Sequence, residues 1–306
     1  MYLRNFFFTI IYTLIFFVNV NALENKILFK INNEIITSLD ILSELRYLAS
    51  VNEQFQNTEK KQAYEIAKRS LIREKIKEIE LKKVVKKIRI EDELLENLLI
   101  NYFKKKFNSI SDFEDYFISI KIDPNVIKKK ITIEVLWNQL IFKKYNKKIK
   151  IDRENIIDEI KKTNKQKQYL LSEILFNVNE NEKLKDKFDL IKDKIEKANF
   201  SEAALTYSVS DTSSIGGELG WINETALSKI IKNKIQKIAI GNYSNPIVIP
   251  GGFLILKIFD VREIENNFDQ NVEIEKIIRE KTNKQLNQFS NIYFNKIQKD
   301  ISINEL

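Results

Sequence analysis

The side chains that most often do chemistry in proteins are missing from this chain. Its 306 residues include neither histidine nor cysteine, which removes the commonest general base and metal ligand, the thiolate nucleophile and any disulfide. The carboxylates show no calcium-loop spacing, so neither a metal site nor another cofactor is expected. No G-x-x-x-x-G-K-[ST] loop is present to cradle a nucleotide. What stands out instead is glycine. All six glycines lie between Gly216 and Gly252, three of them inside "IGGELGWI". Glycine is the residue a backbone needs where φ must be positive or another group must come very close. Ser210 and Asp211 stand just before this loop, and by itself Asp211 reads as a loop or helix cap. Beyond the loop, Leu227 and Ile231 are four apart and share a helix face, which fits a core stripe as well as an apolar slot.

The elements that would position the loop are legible on both sides of it. Residues 1–22, "MYLRNFFFTIIYTLIFFVNVNA", have Arg4, an apolar run from Phe6 to about Val20, and small residues Val20 and Ala22 at cleavage positions, the pattern of a secretory signal peptide. The run is shorter than the roughly 20 residues of a spanning helix, so cleavage, a periplasmic location and no stable membrane insertion are expected rather than a retained anchor. The net charge of +8 is mixed with acidic residues, as in "KIKEIELKKVVKK". That is a solvated helix face, and no nucleic-acid partner is expected.

Residues 23–165 open with "KILFKINNEIIT", a hairpin pattern around Asn32-Asn33, and Thr37 with Asp40 forms an N-cap signal. Helix then follows helix. In "AYEIAKRSLIREKIKEIELKKVV" the residues Tyr64, Ala67, Leu71, Ile76 and Ile79 recur near a period of 3.6, and Pro124 sits where a helix can begin. The polar "KKTNKQKQ" reads as a linker. Across residues 166–263 the period changes: strand "YLLSEILFNV", two helices, the glycine loop, helix "ALSKIIKNKIQKI", and two strands around Pro250-Gly251-Gly252. Residues 264–306 return to one long helix and end on a β-like "ISI". Pairing of "ISI" with the first hairpin would bring the chain ends together and make the middle module an insertion. The fold class is α+β, with a mainly helical domain made from both ends of the chain.

Taken in order, "SEILF", "FSEAALTYSVSDTSSIGGELGWI" and "GNYSNPIVIPGGFLILKI" resemble the parvulin-type peptidyl-prolyl isomerase domain, the rotamase family. GGELGW and the later G-x-x-S-x-P are its specific elements. The hairpin, the helices, a single parvulin module and a long last helix together resemble the SurA-like periplasmic chaperones. The resemblance implies an antiparallel sheet flanked by helices and a proline-ring slot at Leu219, Leu227 and Ile231, with Phe253 close by. It places the family's two histidine positions on Glu173 and Leu254 and the middle polar position on Ser210, beside Asp211. Neither Glu173 nor Leu254 does what imidazole does. Weak or absent isomerase activity is therefore expected from Glu173, Ser210 and Asp211, with substrate contacts from the slot residues and Leu254; the alternative is an active peptidyl-prolyl cis-trans isomerase. The SurA likeness implies an ATP-independent chaperone whose partners are unfolded outer-membrane β-barrel proteins or other exported polypeptides.

Overall fold

Alternating apolar residues make Ile27–Ile31 (β1) and Glu34–Thr37 (β2) a hairpin, with Asn32 taking the left-handed turn conformation at φ 49°. The computed structural model describes residues 25–103, 106–161, 165–179, 181–265 and 270–306; the expected signal peptide lies outside these. Thr37 closes a capping box with Asp40 and starts helix α1, Ser38–Val51. Helices α2 (Lys60–Lys82), α3 (Asp92–Tyr102), α4 (Ile110–Ser119), α5 (Pro124–Tyr145) and α6 (Arg153–Lys161) follow, α5 beginning on its proline.

After the sheet-containing middle comes a long helix at Gln270–Gln298 and a short strand at Ile303–Glu305. That strand pairs antiparallel with β1, Ile31 opposite Ile303 and Phe29 opposite Glu305. It starts at the last residue of "ISI", so the pairing extends two residues beyond that motif. The long helix adds Tyr293, Phe294 and Ile297 to the core built by the N-terminal helices. At the centre of that core the Trp137 indole donates to Ser290 Oγ at 2.8 Å and stacks on Tyr293 with ring centroids 5.7 Å apart. The N-terminal helices thus share one interior with the far end of the chain.

The middle of the chain contains β3 (Lys165–Phe176), α7 (Leu184–Lys197), α8 (Phe200–Tyr207), β4 (Glu218–Asn223), α9 (Lys229–Ile235), β5 (Ile247–Ile249) and β6 (Gly252–Glu265). The long C-terminal helix is then α10 and the last strand β7. The four strands form one antiparallel sheet in the order β4-β3-β6-β5. The linker reading of "KKTNKQKQ" is corrected over its second half. Lys165–Gln168 are already strand, because each pairs with one of Arg262–Glu265 across the ladder.

Strand alternation divides the apolar residues between two faces. Tyr169, Leu171, Leu254, Leu256 and Ile258 pack with Ile231 of α9 and with Leu227. The expected shared helix face of Leu227 and Ile231 is corrected, because Leu227 is extended and Ser228 caps the helix between them. Ile174, Phe176 and Ile255 pack against Ile191 of α7 and Phe200, Ala203 and Ala204 of α8. The sheet module is docked on the helical body through α7 and α8. Leu205 enters the body's core, the Arg69 guanidinium on α2 donates to the carbonyls of Leu205 and Thr206, and Lys194 Nζ donates to Gln62 Oε1 at 2.9 Å.

Candidate functional site

The double glycine exists to bring a loop against β3. Gly216 and Gly217 both have left-handed φ, 74° and 78°. A Cβ on Gly217 would lie 2.1 Å from the Glu173 carbonyl oxygen. Without that Cβ the backbones meet, and Glu173 N–H donates to Gly217 O at 2.8 Å. Upstream, Ser210 caps a short 3-10 turn, Asp211–Ile215, which delivers the chain into the glycines. The cap and the glycines together fix where residues 210–217 sit beside Glu173.

A polar network forms at that contact. Ser210 Oγ donates to Glu173 Oε1 at 2.5 Å and Thr212 Oγ1 donates to the same oxygen at 3.1 Å. Burial pushes the Glu173 carboxyl up, and the two hydroxyls with the Lys284 charge on α10 oppose that push. Lys284 is affected in the opposite sense: burial pulls its amine down to about 8, against the attraction of Glu173. A carboxylate and an amine, each disfavoured by burial in its charged form, therefore attract each other across the junction of module and C-terminal helix.

Glu173 and Ser210 are thus brought together as the sequence suggests, whereas Asp211 is not. Its carboxylate turns the other way, onto the helical body, 3.2 Å from both Arg73 Nη2 and Lys77 Nζ on α2. Lys77 is almost fully enclosed and also meets Glu134 at 2.6 Å. Against the upward push of burial, the Lys77 and Arg73 charges hold the Asp211 carboxyl well below the ordinary carboxylate range. Consecutive residues in a turn point apart, so Ser210 serves the network and Asp211 the interface.

The slot residues separate in the same way. Leu227, Ile231 and Leu254 are buried together, with Leu219 partly buried against them. Phe253 is corrected: it lies on the opposite face of the sheet, stacked on Phe176 with centroids 5.7 Å apart, because neighbouring strand residues face opposite ways. Leu254 adds packing and no proton chemistry.

Two participants were not singled out from sequence. Thr212 follows Ser210 by two places, the spacing of a hydroxyl-rich turn, and that was a usable signal. Lys284 belongs to a different segment, and nothing in its local pattern distinguishes it from the other lysines of α10. As a whole the arrangement can hold a carboxyl group in a dry setting with two hydroxyl donors beside an apolar cluster. It contains no imidazole. Among the described residues no group of three or more acidic side chains suited to a metal ion occurs.

A family model described as the rotamase, PPIC-type PPIase domain matches residues 173–260. The chaperone SurA of Nitrosococcus oceani is 26% identical over 186 residues, covering 57% of this chain and 44% of that protein. SurA of Pseudomonas aeruginosa is 35% identical over 65 residues, 21% of this chain and 16% of its own length. This chain spans less than half the length of the curated relatives it matches. A solved SurA-like chaperone structure from Campylobacter jejuni overlaps 92% of this chain and 99% of its own at 14% identity, with a TM-score of 0.36, an overlap too slight to carry a structural comparison. Residues 173–260 thus match the rotamase, PPIC-type domain, and part of the chain is similar in sequence to SurA chaperones.

Proposed function

We propose that this protein is an ATP-independent periplasmic chaperone for unfolded exported polypeptides, outer-membrane β-barrel proteins among them, and that its parvulin module binds peptide with little or no prolyl isomerase activity. One observation carries the reading: the positions where the family places imidazoles hold Glu173 and Leu254, and the leucine is packed into the apolar core. Prolyl isomerisation needs a barrier of about 18–20 kcal/mol lowered by favouring the twisted amide. Here the slot residues Leu227, Ile231 and Leu254 are largely occupied with one another. The signal peptide would be cleaved near Leu23, and among the described residues no helix is long and apolar enough to cross a membrane.

The Glu173–Ser210–Thr212 network is the observation that favours the second reading, an active isomerase with a carboxyl-based site. One experiment separates the two. Full-length mature protein is assayed for isomerisation of a proline peptide by a protease-coupled method and, in parallel, for suppression of aggregation of an unfolded β-barrel protein without ATP. Suppression with an isomerisation rate no greater than the uncatalysed one supports the chaperone reading. A large rate acceleration that E173Q abolishes establishes the enzyme instead, and absence of both activities refutes both readings. N-terminal sequencing of the exported protein tests the cleavage.

A further inference from the structure

Between the helical body and the parvulin module lies a cavity of about 440 Å³, on the side of the Ser210–Ser214 turn that faces α2 and α5. Its apolar walls come from both units. Ile72 and Ile76 of α2 and Val135 of α5 line it from the body, Leu205 and Val209 from the module, and Phe294 from α10. Most of these side chains are buried or half-buried, while Asn138, Tyr102 and Gln298 stand exposed among the lining residues.

The charged side chains of the lining balance, three cationic (Arg69, Arg73, Lys130) against three anionic (Glu74, Glu134, Asp211), and Arg69 is held by the carbonyls of Leu205 and Thr206. Lys130 sits between Glu44 and Glu74 at 3.1 and 2.6 Å, Arg73 meets Asp211, and Glu134 meets Lys77. A ligand there has no net charge to neutralise. One donor is left over: Arg73 Nε is buried and has no hydrogen-bond partner. Buried donors without partners are rare, and a main-chain carbonyl is the acceptor that an uncharged extended chain offers at every residue. The volume falls at the lower end of the range for binding pockets, enough for one large apolar side chain with its flanking backbone.

We infer that this interdomain cavity is a client subsite, taking a single uncharged apolar side chain of an unfolded polypeptide while Arg73 Nε donates to the client's main chain. The inference rests on the chaperone reading and adds to it a location whose lining includes none of the slot residues Leu219, Leu227, Ile231 and Leu254, with one wall made by the module's own Ser210–Ser214 turn. The site is incomplete unless module and body are docked.

The absence of cysteine makes the test direct. Single cysteines at Asn138, among the exposed lining residues, and at Lys185, on exposed α7 of the module, are each labelled with a photo-crosslinker in the otherwise unchanged mature protein. The probe is an unstructured Gly/Ser/Asn peptide of about 20 residues with one central leucine, compared with a twin carrying aspartate there. The expected result is crosslinking from position 138 at least about tenfold above position 185, lost with the aspartate twin. In the same assay V135W, which fills the cavity, weakens leucine-peptide binding about tenfold while its thermal unfolding shows that it remains folded. Should V135W fail to fold, competition by excess unlabelled leucine peptide at position 138 takes its place. Equal crosslinking from both positions, or affinity for the folded V135W within twofold of the parent, overturns the inference. So does selective displacement of the label by decanoate, which would assign the cavity to an acyl chain. Aggregation suppression by the unlabelled protein is measured alongside. If it persists while the cavity results are negative, the subsite is wrong and the chaperone reading stands; if it is absent, the chaperone reading itself has failed.

Discussion

Replacing Asp211 by asparagine should loosen the parvulin module from the helical body without touching the network on the other side of the turn. Asp211 lies 3.2 Å from both Arg73 Nη2 and Lys77 Nζ. At an effective dielectric of 20, each such contact is worth about 5 kcal/mol of gross Coulomb energy. The net figure is far smaller. The Asp211 side chain is 38% exposed, so solvent screens part of the attraction, and Lys77 keeps Glu134 at 2.6 Å after the substitution. Between the near-zero value of an exposed pair and the 3–5 kcal/mol of a broken buried one, D211N is expected to cost about 1–2 kcal/mol.

The direction with pH follows from the depressed carboxyl. A group whose folded-state value lies below its unfolded one stabilises above the unfolded value, about 3.9. That stabilisation is lost as pH falls through the folded value. The difference between parent and D211N should therefore be full at neutral pH and shrink in strong acid. The two tryptophans provide the readout in urea, Trp137 in the body's core and Trp221 in the module beneath Arg262. D211N should lower the unfolding midpoint seen by both. A double-mutant cycle with R73Q should return a coupling of about 0.5–1.5 kcal/mol. A coupling below about 0.3 kcal/mol, or a D211N deficit undiminished at the lowest pH at which the protein stays folded, would show that the ion pair does not hold the module in place.

Three further outcomes follow from the same geometry. Gly217→Ala combines left-handed φ with a Cβ 2.1 Å from the Glu173 carbonyl; a loss of about 3 kcal/mol or more is expected in urea unfolding, and a loss under 1 kcal/mol would contradict the close approach. Lys284, with its amine pulled down to about 8, sheds its proton in the folded state before it does so in the unfolded one. Stability should therefore rise by on the order of 2 kcal/mol from pH 8 towards 10.5, a rise that disappears in K284M. Burial pushes Glu78 up, but hydrogen bonds from Lys129 and Lys82 and the Lys75 charge prevail and hold its carboxyl at about 2. Its contribution, about 3 kcal/mol at neutral pH, should fade as pH drops from about 4.5 through 2, and E78Q should flatten that limb of the acid-unfolding curve.

Much of the architecture was legible because it rests on local pattern. The Thr37–Asp40 cap, the Asn32-Asn33 turn, the helix starting at Pro124 and the strand pair around Pro250-Gly251-Gly252 are each specified by a few adjacent residues. The glycine loop was legible too, since positive φ and close approach leave few alternatives to glycine. The strand at Lys165–Gln168 was hidden because its residues are polar, and they become strand only through the partner segment Arg262–Glu265. Phe253 was placed near the slot by the family resemblance alone, whereas strand alternation puts it on the face opposite Leu254.

The amino-acid order by itself determined which elements form and that no imidazole or thiolate chemistry takes place here. Only the tertiary structure decided that Ser210 and Asp211, neighbours in the chain, serve different units, that the charge of Lys284 on the last helix acts on Glu173, and that a cavity opens between module and body. The physical reason is range. Caps, turns and periodicity act over a few residues, whereas charge pairing and burial depend on which distant surfaces the whole chain brings into contact.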